Sequence, residues 1–596
     1  MNNKLFLGAA AAAITLGGVT LSLETFSARD GAAPFLSPLA IARSLCGDNA
    51  DGLAKRRAFF ISAAKAYAQE AGEDADSSLT LRSNLGEISY DITTSKPEAQ
   101  AWFNQGLAYH YNFNHGEAIK AYKKAQAIDP DCAMCYWAEA LALGPNINAP
   151  MGDEAVAPAW AAVNKALSLR DKASMKEQAL ITALGYRYEA QPNPDRAKLD
   201  NAFADAMDEV AKKYPDDDLI ASLAGEANMD TQVWDYWTDG GRTPKGRTAR
   251  TLSLFEGVLA RNPDYTAAIH LYIHLTEAST DPYRAADYAD RLAGLTPGLG
   301  HLIHMPSHTY YRIGRFKQSL EHNIEAVKVD DAYIAEADAS ILYEYGYFTH
   351  NVHFAMTSAQ IAGDAETALY MANKLDAKLP IDMAAAAPWV QPIKAAPYYA
   401  MVQFSTPDEI LAAEDPGDAL PFLRGAWMYA RGEAFARKGD ADAAMAEAET
   451  ISALIAEADF TPLTGGGVPA LDILNVARLT VIARARFAQG DFDTAIEAME
   501  EATAIQEALP YTEPAYWYYP SRQTLAAMLL QAGKAERAEQ LFLESLTRSP
   551  NNAWVLYGLG EAYKAQGDKN AAKYAAALFK DAWAGPKKAK LSLSQL

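Results

Sequence analysis

AQAWFNQGLAYHYNFNHGEAIKAYKKAQAIDP, residues 99–130, is the stretch that decides the fold. Counted from Ala99, it places Trp102 at position 4, Gly106 at 8, Tyr109 at 11, Ala118 at 20, Tyr122 at 24, Ala125 at 27 and Pro130 at 32. Small residues at 8 and 20 let two antiparallel helices approach closely. The aromatic residues fill the space between them, and the proline stops the second helix. The same register returns from Ala553 (Leu556, Gly560, Tyr563, Ala572, then Phe579) and from Tyr519 (Ala526, Ala538, Phe542, Pro550). Partial matches begin at Asp218, Gly425 and Val476, the last two beside the turns Gly439-Asp440 and Gly490-Asp491. About twelve units of roughly 34 residues fit the chain. Strand alternation is nearly absent, so the expected architecture is an all-α solenoid, a superhelix of helix hairpins with a long concave surface.

Composition agrees with a large folded chain. Half of the 596 residues are hydrophobic and 21% are charged, which supplies core enough to exclude wholesale disorder. The net charge of −22 argues against nucleic acid and anionic membranes as partners. Lys4, the apolar run Leu5–Leu23 and the small residues that follow read as an export signal or N-terminal anchor over 1–28, giving an exported, periplasmic or secreted protein that touches membrane only through an uncleaved N-terminus. A lead-in follows over 29–95. The N-terminal repeat array is expected over 96–380, a linker with irregular helices over 381–424, and a C-terminal array over 425–596. Trp234, Tyr236 and Trp237 read as packed aromatics.

The histidines carry the functional signal. Eight of the ten lie between His270 and His353, where a uniform scatter would leave roughly 1.4. A unit started at Thr266 puts His270 at position 5, His274 at 9 and Glu277 at 12. One started at Gly300 puts His301 at 2, His304 at 5 and His308 at 9; a third, from Thr349, puts His350 at 2 and His353 at 5. Residues three, four and seven apart share a helix face. Positions 2, 5, 9 and 12 of the first helix form the stripe that lines the groove, and adjacent helices pack about 8–10 Å apart, close enough for their imidazoles to reach one ion. Imidazole donors suit zinc, copper or iron rather than calcium or magnesium. The expected metal residues are therefore His270, His274, Glu277, His301, His304, His308, His350 and His353. Glu277 is a candidate ligand, orienting group or general base. His322, at position 23, falls off the stripe and reads as structural. Tyr310, Tyr311 and Arg312 share the helix of His308.

Cys132 and Cys135 form a C-x-x-C at a helix start, readable as a simple disulfide or as a second, soft-metal or redox site near His110 and His115. Cys46 is left over.

Four segments carry a resemblance: FNHGEAIKAYKKAQAIDPDCAMCYWAEALALGPNINAPM (113–151), MDTQVWDYW (229–237), HLYIHLTEAS (270–279) and GLGHLIHMPSHTYYRIGRF (298–316). They resemble a group of large bacterial tetratricopeptide-repeat proteins. The resemblance spans about 100–380 and implies a tetratricopeptide-repeat solenoid, but it transfers no activity; beyond about 400 the likeness is to generic repeats. The expected function is an exported solenoid that binds a transition metal through its histidine cluster and offers a protein or peptide surface in its groove or C-terminal repeats. The alternatives are a plain protein-interaction scaffold without metal and a metal-dependent hydrolase or oxidase.

Overall fold

The computed structural model describes residues 79–191, 194–337 and 339–596. The expected signal (1–28), most of the lead-in and Cys46 lie outside the described residues. What is described of the lead-in is an extended strap on the first helix: Arg82 N donates to Gln105 Oε1 (2.8 Å), Tyr90 N to Asn104 Oδ1 (3.2 Å) and Ile92 N to Gln100 Oε1 (2.9 Å). Among the described residues, no helix is long and apolar enough to cross a membrane.

Helix hairpins follow one another from Pro97–Tyr111 with His115–Ile128 to Ala553–Ala565 with Lys569–Ala582. The Gly-Asp pairs explain many of the turns. Gly363, Gly439, Gly490 and Gly567 end their helices at φ near +80°, where a side chain would be strained. The aspartate that follows each one caps the next helix through its side chain, as Asp364 does with Thr367 N at 3.1 Å. Small residues at position 8 permit the close approach. A Cβ on Gly106 would fall 2.3 Å from the Tyr122 ring, and one on Gly225 2.3 Å from the Phe255 ring.

The three units framed on histidines have first helices Thr266–Thr276, Gly300–His304 continued as Pro306–Ile313, and Phe348–Ala362. The only strands among the described residues are Trp237–Thr238 and Thr243–Pro244, an antiparallel ribbon in the loop of one hairpin. Segment 381–424, expected as a linker, contains Ile381–Ala386, Gln391–Phe404 and Pro407–Leu411. Gln391–Phe404 packs between Ala365–Lys378 and Pro421–Arg437, so the array continues through it.

One apolar core runs from Leu85 to Tyr347 and a second from Leu320 to Leu596. They overlap along the helix Phe316–Glu336, which gives Tyr333 to the first and Leu320 and Val327 to the second. The superhelix also winds tightly enough to touch itself. Asn112, at the end of the first helix, accepts from Leu302 N (3.3 Å) and donates to Tyr343 Oη (3.1 Å). In the second half, Trp554 Nε1 donates to the Gln360 carbonyl (2.7 Å) and Ala584 N to the Ala362 carbonyl (2.8 Å).

Alanine in place of Gly225 should destabilise the protein. Helix propensity favours alanine by about 1 kcal/mol, but the overlap with the fully buried Phe255 ring is expected to outweigh it. The net loss should be about 1–2 kcal/mol, read as a lower urea midpoint with unchanged far-ultraviolet circular dichroism.

Candidate metal centre

The histidine stripe faces inward as its spacing requires, but the surface it faces is closed. His270, His274, His301, His304 and His308 are at most 3% exposed, and Glu277 is fully buried. The expected open groove is here an interior, because the tight winding brings other parts of the chain onto the stripe. The Phe113 ring lies 4.5 Å from His270 and 5.1 Å from His301, and the Tyr347 ring 5.0 Å from His301. From the far side, Glu513 bonds His308 Nδ1.

The buried nitrogens fall into triplets. Ligand atoms of His270, His274 and His301 lie within 4.8 Å of one another, as do those of His304, His308 and His350. His301 Nε2 is 3.1 Å from His270 Nε2; His308 Nε2 is 2.8 Å from His304 Nε2 and 3.4 Å from His350 Nε2. His353 is not part of either triplet. Its Nε2 pairs with Tyr518 Oη at 3.0 Å, on the wall of the neighbouring cavity.

The opposite edges of several rings are tied down. His274 Nδ1 donates to Glu277 Oε1 (3.0 Å), while His308 Nδ1 donates to Glu277 Oε2 (2.7 Å) and to Glu513. One carboxylate thus orients a histidine in each triplet. Glu277, His274 and His308 also form a third close group, but there the nitrogens nearest the carboxylate are the Nδ1 atoms already hydrogen-bonded to it. His304 Nδ1 donates to Asn323 Oδ1 (2.6 Å), and Asn323 is itself fixed by donating to Ser307 Oγ (2.8 Å) and the Ser319 carbonyl (2.6 Å). His274 Nε2 is left buried with no hydrogen-bond partner. A carboxylate on one ring nitrogen and an unsatisfied second nitrogen is the arrangement of a histidine prepared to bind a cation.

Electrostatics point the same way. Burial holds His274, His301, His304 and His350 well below the usual imidazole range and takes His270 and His353 down to about 3, so these rings are neutral at pH 7. His308 differs. Burial would lower it too, but the facing carboxylates of Glu277 and Glu513 push it up to about 10. Glu277 is raised by burial and then by the charge of Glu513. Glu513 is lowered: burial opposes ionisation, but His308 outweighs it.

Tyr310, Tyr311, Arg312 and His322, in the same hairpin as His308, each have partners of their own. Tyr310 Oη donates to Asp290 (2.6 Å), and Tyr311 packs edge-on against Phe316 and Phe354. Arg312 donates to the Glu277 carbonyl, and His322 packs on Tyr310. Cys132 and Cys135 are fully buried and joined as a disulfide, which leaves no thiolate for a soft metal. His110 and His115 stack 4.6 Å apart.

A cavity of about 230 Å³ adjoins the triplets. His274, His301, His308 and His350 form part of its wall, with Trp234, Tyr347, Trp389, Tyr516 and Glu513 among the rest. In the aromatic run 516–519, Trp517 and Tyr518 are buried, and Tyr519 Oη pairs with Tyr429 Oη. Sequence reasoning found the histidines and Glu277 but missed Glu513, Asn323 and Phe113. None of these lies on the stripe, and only Phe113, two residues before His115, sits in a quoted motif.

Two segments match tetratricopeptide repeat families, residues 99–132 and 529–577. No curated protein matches the chain. Solved structures with remote similarity include the human IFIT1 dimer with m7Gppp-AAAA (13% identity, 88% of this chain and 94% of that chain, TM-score 0.30). Yeast Tom70 (13% identity, 80% and 90%, TM-score 0.23) and Naa15/Naa10 bound to HypK-THB (14% identity, 81% and 75%, TM-score 0.22) are also similar. The succession of helix hairpins, with repeat matches near both ends of the described chain, makes the fold an all-α tetratricopeptide-repeat solenoid.

Proposed function

We propose that this solenoid binds a transition metal, zinc, copper or iron, through the buried histidines of three consecutive repeats. The observation that carries the reading is the convergence of six imidazoles from three first helices into two close triplets, with Glu277 orienting one ring in each. A buried nitrogen without a partner costs about 1–3 kcal/mol, and a coordinated ion removes that penalty at His274 Nε2. A second reading, a protein-interaction scaffold, is supported by the two repeat matches. The two are compatible, since the metal residues are interior and the outer faces of the hairpins remain available to a partner.

Protein purified without an affinity tag and refilled in turn with zinc, copper and iron should retain one or two transition-metal ions per chain by elemental analysis; retention of none leaves the scaffold. The double substitution His304→Ala, His308→Ala should reduce the bound metal while helical circular dichroism stays near that of the parent. Loss of the helical signal would instead assign those rings to packing. Glu277→Gln replaces two acceptor oxygens by one and can orient only one of His274 and His308. It should weaken metal affinity by about 10–100-fold, measured by competition with a chromophoric chelator.

A further inference from the structure

The two triplets are arranged as two seats rather than one. Ligands on a single ion with bonds of about 2.0–2.1 Å stand about 2.9–3.4 Å apart for angles between square and tetrahedral. The Nε2 separations within the triplets, 3.1 Å for His270 and His301, and 2.8 and 3.4 Å about His308, fall at or near that range. The triplets are also neighbours, with the His274 and His308 rings 5.3 Å apart and the His301 and His304 rings 5.9 Å apart. Each seat offers three imidazoles. Three protein ligands leave a tetrahedral ion one position short, the condition of sites that take up a further molecule.

The cavity supplies the place for that molecule. His274 and His301 of one seat, and His308 and His350 of the other, line the same space. Its remaining wall is mostly aromatic and apolar, including Trp234, Tyr347, Trp389 and Tyr516, and its carboxylate, Glu513, can accept a hydrogen bond from a hydroxyl. A wall of rings selects a flat ligand, and two open metal positions at its floor select oxygen donors. Resting on the metal-binding reading above, we propose that the cluster seats two ions side by side and that the cavity binds a small phenolic ligand, its oxygen directed at the ion pair.

The test uses the full-length protein loaded with cobalt(II) under anaerobic conditions and titrated with catechol. The expected result is two cobalt ions per chain and a change in the visible cobalt bands that saturates with catechol. The pair His270→Ala, His301→Ala and the single change His304→Ala should each lower the count to one. Trp389→Ala should keep both ions and weaken catechol by about fivefold. Absence of any ion would overturn the metal reading and this proposal together. A single ion lost in both sets of histidine variants would overturn the pair and leave the metal reading standing. Two ions whose bands ignore catechol would overturn the phenolic site alone.

Discussion

A single carboxylate, that of Glu277, holds the centre of this molecule together. It is fully buried and accepts hydrogen bonds from the Nδ1 atoms of His274 and His308 on neighbouring first helices. A carboxylate removed from water is strongly unfavourable unless its oxygens are occupied. Here the partners come from two repeats, while Arg312 secures the backbone of the same residue through its carbonyl. The consequence is geometric. Two successive hairpins cannot rotate relative to each other without breaking one of these bonds, so the pitch of the superhelix at this point is set by hydrogen bonding as well as by apolar packing.

The same winding explains why the interior is dry on one side and hollow on the other. Toward the N-terminal half, Phe113 and Tyr347 press onto His270 and His301. Toward the C-terminal half, the Glu513 segment meets His308, and Trp389 and Tyr516 line the cavity beside the histidines. In the preceding hairpins, Arg187 is buried between Asp230 (2.5 Å) and Asp200 (3.4 Å) and donates to the Pro145 carbonyl (2.9 Å). These contacts tie together the hairpins that precede the histidine repeats.

What could be read from the chain follows from the range over which each signal acts. Frames started at Thr266, Gly300 and Thr349 depend only on a 3.6-residue turn and a hairpin of fixed length, and the helices begin at or next to those residues. Glu277 was legible as part of the stripe, and its place between two histidines fits the orienting role. Closure was not legible. Each repeat adds a small rotation, and whether the sum brings residue 113 or 513 onto the stripe depends on many packing contacts, none of which leaves a local pattern. His353 shows the limit within a helix. It shares the stripe with His350, yet three residues along the axis carry it past the triplet to Tyr518. Asn323 was invisible for another reason: it lies on a second helix, whose inward positions the stripe does not count.

Glu513 lies 205 residues after the histidine it contacts. During synthesis every imidazole of the cluster leaves the ribosome well before this acid does, so an early intermediate has the nitrogens without the counter-charge at His308. The pocket wall is equally late, since Tyr516 and Tyr518 arrive on the same segment. Completion of the centre therefore waits on the segment around residue 513: a polypeptide interrupted before it lacks the acid that faces His308.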